Sequence, residues 1–84
     1  MQREMEKEQA ALSEEVFEGT SGGGAVKVTM TGDKKITALE IKPEVVDPED
    51  IEMLQDLIIG AVNETSDAID AKTEAVMSKY TVGL

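Results

Sequence analysis

From Pro48 to Lys79 the chain carries one glycine, Gly60, and no further proline, and this run dictates most of what the remaining residues can build. Its start is well marked. Asp47 offers a carboxylate to free amide groups, Pro48 suits a first helical position, and Glu49 and Asp50 favour the positive end of a helix dipole. A helix over about residues 48–80 rises 1.5 Å per residue and reaches about 45–50 Å. An eight-residue strand spans only about 26 Å. The helix therefore outreaches any sheet that the rest of the chain can form.

In its first half, Ile51, Leu54, Leu57, Ile58 and Val62 suffice to cover one face of a sheet. The second half keeps an apolar stripe: Val62, Ile69 and Val76 stand seven apart, with Ala61, Ala68 and Ala75 beside them. Sevenfold spacing with small neighbours suits close packing against another helix. A second copy of the chain is the natural source of that surface, so Val62, Ile69 and Val76 are the candidate dimer interface. The other outcome is a monomer whose distal helix folds back or frays.

The segment before it reads as mixed structure. About residues 1–14 form a helix of good formers, with Met5, Leu12 and Val16 marking one side and Glu4, Glu8 and Glu15 facing water. A short strand around Val16 and Phe17 runs into the glycine-rich stretch Gly19–Gly24. Val26, Val28 and Met30 then alternate with Lys27, Thr29 and Thr31, the period of a half-buried strand. Gly32, Asp33 and Lys34 make a turn, and Thr37, Leu39 and Ile41 alternate in the returning strand until Pro43 ends it. Strands thus occupy about residues 15–42. The expectation is a single α+β domain over residues 1–84.

Eighty-four residues hide only roughly 60–65% of the surface of the unfolded chain, so the core is thin. With no Cys and no His, disulfide and zinc staples are not at hand, which again favours self-association. No run approaches the ~20 apolar residues of a membrane span, and no secretory leader is recognisable, so the chain reads as cytoplasmic. Eight basic residues against 18 acidic ones give a formal charge of −10. Nucleic acid is repelled on average, and binding it requires a local patch.

Catalytic and ligand sites find little support. Gly22-Gly23-Gly24 leads into a strand and lacks the Lys-Ser or Lys-Thr pair of a phosphate loop. Asp47 and Asp50 are explained by capping, and no calcium-loop pattern occurs, so no catalytic residue, metal or cofactor is expected. Phe17 and Tyr80 are too few for a base-stacking platform. Among the scarce cations, Arg3 and Lys7 lie four apart on the first helix, and Lys72 and Lys79 lie seven apart on the last, sharing a face with Thr65. Acids interleave with each pair, so the ordinary expectation is a solvated face with i,i+4 ion pairs. The other is a set of phosphate contacts doubled by dimer symmetry.

Two segments carry a resemblance. Glu18-Gly19-Thr20-Ser21-Gly22-Gly23-Gly24-Ala25-Val26-Lys27-Val28 and Ile41-Lys42-Pro43-Glu44-Val45-Val46-Asp47-Pro48-Glu49-Asp50 resemble the YbaB/EbfC family of bacterial nucleoid-associated proteins. Glu52-Met53-Leu54-Gln55-Asp56-Leu57-Ile58 and the tail Lys79-Tyr80-Thr81-Val82-Gly83-Leu84 extend it over nearly the whole chain. The resemblance implies an N-terminal helix, a three-stranded antiparallel sheet, and a long C-terminal helix. It also implies a homodimer joined through the sheet region, with helices projecting like tweezers, that binds DNA and associates with the nucleoid.

On that basis Arg3, Lys7, Lys72 and Lys79 are candidate contacts to duplex DNA, with low sequence selectivity and an influence on gene expression. So few cations on so acidic a dimer imply weak and salt-sensitive binding. The alternative is an acidic protein-interaction module. Its helices would engage a basic partner in DNA replication or repair, without direct DNA contact.

Overall fold

The computed structural model describes residues 2–78, apart from the side chains of Gln2 and Met5. Helix α1 (Gln2–Glu14) leads into strands β1 (Val16–Ser21), β2 (Val26–Thr31) and β3 (Ile36–Ile41). A single 3-10 turn at Pro43–Val45 precedes the long helix α2 (Ile51–Met77). The strands form an antiparallel sheet in the order β1-β2-β3. The fold is therefore α+β with the expected order of elements. Residues 79–80, expected to continue the long helix, lie outside the described residues.

Sheet and helix meet across β1 and β2. Val26, Val28 and Met30 are buried, as their alternation predicts, and form the core with Ala61 and Ile69 of α2. Phe17, Leu54, Leu57, Ile58 and Val62 pack around them. On β1 the residues facing the same way are Phe17, Gly19 and Ser21, paired with Met30, Val28 and Val26. Gly19 is the seat of the helix. A Cβ there would stand 2.8 Å from the Thr65 amide nitrogen and 2.9 Å from the Ala61 carbonyl oxygen, so only glycine lets α2 lie against the strand backbone. The Ser21 hydroxyl donates to the Leu57 carbonyl, and the buried Thr65 hydroxyl donates to the Ala61 carbonyl at 2.7 Å.

Three glycines in succession, Gly22, Gly23 and Gly24, adopt positive φ values of 59°, 68° and 91°. They turn the chain from β1 into β2, the strand connection expected of them.

Two local features depart from expectation. The helix begins at Ile51, capped by Asp50, whose carboxylate accepts from the Met53 amide at 3.2 Å. Asp47 instead accepts from the Glu49 amide at 2.9 Å, and its carbonyl accepts from Asp50 at 2.9 Å. The Asp-Pro-Glu-Asp segment closes its own turn, which hands the cap to the later aspartate. In β3, the register is broken opposite Thr29 and Met30, so that Met30 pairs with Ile36 and Thr37 is the extra residue. Ile36, not Thr37, joins Leu39 and Ile41 on the side facing α2.

Helix α2 lies over β1 and β2 and has little contact with β3. It runs antiparallel to β1, with Leu57 by Ser21 and Glu64 by Thr20, and continues past the end of the sheet. Helix α1 packs where the sheet ends, through the buried Leu12, and its Gln9 amide donates to the Met77 sulfur at 3.4 Å. The two helices thus form an arm on the sheet body, giving extents of 55 × 21 × 16 Å.

Candidate nucleic-acid interface

The arm is built from poor packing material. Apart from Leu12, the described side chains of α1 are mostly exposed, and the helix has no extensive contact with any other described element. Arg3 and Lys7 are exposed on it. On α2, Lys72 follows the buried Thr65 by two turns on the same side of the helix. There the sheet has ended, and the ammonium is exposed. Three of the four candidate DNA contacts are therefore on the arm, and Lys79 lies outside the described residues.

The sheet body treats its cations differently. Lys27 meets Glu18 at 3.1 Å and Glu40 at 4.0 Å across three strands of the outer face. The hydrogen bond and charge of Glu18 raise the Lys27 pKa, with Glu40 adding to the effect. Lys34 in the β2–β3 turn meets Asp70 at 2.7 Å, and Lys35 meets Asp33 at 3.8 Å. Lys42, just past β3, is the exception. The Thr31 hydroxyl donates to Asp33 and holds that carboxyl below its ordinary value. Arg3, Lys7 and Lys72 form no ion pair with a described residue. The expected i,i+4 pairs have no basis in the spacing, since Lys7 stands four from Arg3, Ala11 four from Lys7, and Ala68 and Val76 four from Lys72. Glu6 and Glu4 lie three from Arg3 and Lys7 without pairing.

The candidate dimer residues fall in three settings. Ile69 is 1% exposed and belongs to the core of the single chain. Val62 is half-buried against that core, and Val76 is half-buried on the arm. Exposed apolar side chains that the sequence did not single out as an interface stand on β3 and α2. Because α2 bypasses β3, Ile36 is 53% and Leu39 46% exposed on the face turned towards the helix, and Ile59 is 56% exposed on α2. The two sheet edges also differ. The Thr20 amide on β1 donates to Glu64 at 3.1 Å. A backbone amide has one proton to give, so this one points away from β2, and Glu64 covers the β1 edge there.

Among the described residues there is no enclosed pocket and no group of three side chains placed to hold a metal. No described helix is long and apolar enough to cross a membrane.

A small sheet with a two-helix arm, bearing exposed cations outside any ion pair among the described residues, is an architecture for contact with an extended surface. The chain belongs to the YbaB/EbfC DNA-binding family, whose model matches residues 1–84. That family is one of DNA-binding proteins, not of enzymes. Nucleoid-associated proteins of Alkaliphilus metalliredigens and Acetivibrio thermocellus are 52% and 55% identical to it over 84 residues, which cover all of this chain and 74% of each relative. The crystal structure of the uncharacterized protein HP0035 from Helicobacter pylori superposes with a TM-score of 0.81 at 21% identity, over 95% of this chain and 84% of that one. At that identity the likeness speaks for the fold alone.

Proposed function

We propose that the chain acts as a homodimer that binds duplex DNA with low sequence selectivity and associates with the bacterial nucleoid. The observation that carries this reading is the division of the cations. The body pairs three of its four lysines, Lys27, Lys34 and Lys35, with its own acids and leaves Lys42 out, while Arg3, Lys7 and Lys72 stand exposed on the arm without an ion pair to a described residue. Family membership supplies the class of ligand. Contacts of this kind go to phosphates and release counterions, which fixes register on the duplex without reading base edges. Lys79 completes the set on the sequence pattern. Against a formal charge of −10 per chain affinity is weak, and it falls with salt in proportion to the few phosphates neutralised.

The dimer is supported by the bare inner face of β3. Ile36, Leu39 and Ile59, flanked by Val62, form an apolar surface that a second copy covers in this reading, with Ile69 supporting it from beneath and Val76 extending it along the arm. The β3 edge is open to strand addition and the β1 edge is obstructed at Thr20.

Fluorescence anisotropy of a labelled duplex, titrated at low and near-physiological salt, tests the DNA reading. Replacing Lys72 and Lys79 with Glu should weaken binding and flatten the dependence of log K on log salt by about 0.9 for each phosphate no longer neutralised. Thermal stability should hardly change. Undiminished binding clears those lysines, and no binding by the unmodified protein at low salt sinks the reading. Light scattering tests the dimer: Leu39→Glu should halve the mass while helicity is kept.

A further inference from the structure

Helix α2 starts beyond Ser21 and runs back along β1, so its first turns and the segment leading into them form the end of the body away from the arm. Residues 43–56 hold six carboxylates there, Glu44, Asp47, Glu49, Asp50, Glu52 and Asp56, and no basic side chain. One sixth of the chain thus carries −6 of the formal charge of −10. All six acids are exposed, and none forms an ion pair with a described residue. The turn and the cap account for Asp47 and Asp50, and the helix dipole favours Glu49 and Glu52. The side chains of Glu44 and Asp56 bond to no described residue.

Apolar side chains stand among these acids. Val46, Ile51 and Met53 are 51%, 47% and 38% exposed, although Val45 and Leu54 beside them pack against the core. The Asp50 amide donates to the Asp47 carbonyl at 2.9 Å and closes a turn with Val46 and Ile51 at its two ends. The Asp47 carboxylate accepts from the Glu49 amide at 2.9 Å, and that of Asp50 from the Met53 amide at 3.2 Å. These bonds fix the backbone from which the three side chains project. A single exposed apolar residue needs no explanation, but three within eight residues, rimmed by carboxylates, have the make-up of a contact surface.

We infer that this end of the body docks a basic segment of another protein, in which Lys or Arg side chains flank apolar ones. Charge selects the class of partner. A phosphate backbone or an anionic membrane is repelled from such a surface. A second copy of the chain is repelled as well, because a two-fold contact here sets six carboxylates against six. A basic polypeptide meets both needs: its cations pair with the acids, and its apolar side chains cover Val46, Ile51 and Met53. The surface shares no residue with the β3 face or with the arm, so the inference goes beyond the DNA-binding reading and does not depend on it.

The test uses two synthetic peptides of equal length and charge, one of Lys and Leu and one of Lys and Ser. Each is labelled and titrated with the full chain at near-physiological salt, and binding is followed by anisotropy. The Lys-Leu peptide should bind about tenfold more tightly, the gain from covering about one large apolar side chain. Ile51→Ser together with Met53→Ser should abolish that preference. Glu52→Gln with Asp56→Asn should weaken both peptides severalfold. Asp67→Asn with Glu74→Gln, the same change of charge farther along α2, should weaken them much less. Far-UV circular dichroism and light scattering check that the variants keep their helices and their mass. Equal binding of the two peptides by the unmodified chain, or equal losses from the two acid pairs, would overturn the inference. So would a preference that survives Ile51→Ser with Met53→Ser and is lost in Leu39→Ser, which assigns the docking to β3. A fall in mass of the Ile51→Ser, Met53→Ser variant would assign the surface to self-association and overturn it too.

Discussion

The sheet body and the helical arm solve opposite problems with the same helix. In the body α2 covers Val26, Val28 and Met30 and a glycine seat at Gly19, and ion pairs on the outer face of the sheet and at the β2–β3 turn engage Lys27, Lys34 and Lys35. Past the sheet, α2 has only the lightly packed α1 beside it, and the cations there carry no ion-pair partner among the described residues. The body buries the core of the single chain and pairs three of its four lysines, though Ile36 and Leu39 of β3 stay exposed. The arm buries little and leaves its described cations unpaired with any described residue. One continuous helix can do this because helical hydrogen bonding is local, so α2 needs a packed neighbour over only part of its length.

The comparison is broken most severely at the heptad stripe. Ile69→Asp places a carboxylate in the core of the body and should cost more than about 4 kcal/mol, enough to abolish cooperative unfolding in a domain of this size. Val76→Asp, seven residues on, should cost about 1 kcal/mol or less, because the site is half-buried on the arm. Urea unfolding followed by circular dichroism measures both. A collapse at Val76 matching that at Ile69 would mean that the arm is cored by a second copy of the chain.

A smaller loss is expected at the seat of the helix. Gly19→Ala forces a methyl group against the backbone of Ala61 and Thr65 and should cost about 1–3 kcal/mol, read from the urea midpoint. Unchanged stability would mean that α2 rides clear of β1. The smallest effect has the opposite sign. At Gly60 a Cβ would meet only the Ser21 Cβ, at an ordinary 3.6 Å, so Gly60→Ala should stabilise the body by about 0.4–1 kcal/mol. A loss there would show that the middle of α2 needs the freedom of glycine.

Much of the fold was legible because its signals are local. The strand period of Val26, Val28 and Met30, the turn glycines and the unbroken run of α2 each declare one element. What escaped depends on how elements meet. Ile36 and Thr37 are both β-branched, so alternation cannot tell which is the extra residue of a bulge. Asp47 and Asp50 are equally good caps, and the preceding turn decides between them. Ile69 shares its spacing with Val62 and Val76, yet the sheet extends far enough along α2 to bury it.

The candidate interface shows the same division. That Arg3, Lys7 and Lys72 sit on helices was readable from sequence, and that Lys72 has no acid three or four residues away was readable too. That Arg3 and Lys7 form no pair with Glu6 and Glu4 was not, since spacing allows a pair without compelling one. Lys34 resembled turn filler. Its pairing with Asp70, thirty-six residues along the chain, was not legible from sequence.

The bond from Thr20 to Glu64 reaches beyond the protomer. A sheet with two open edges can recruit neighbours without end, and the product is a fibre. Were two copies to join along β3 by a two-fold axis, a β1 strand would lie at each outer margin, with Glu64 over its Thr20 amide. The carboxylate that steadies α2 on the body would then also hinder a third chain from pairing there.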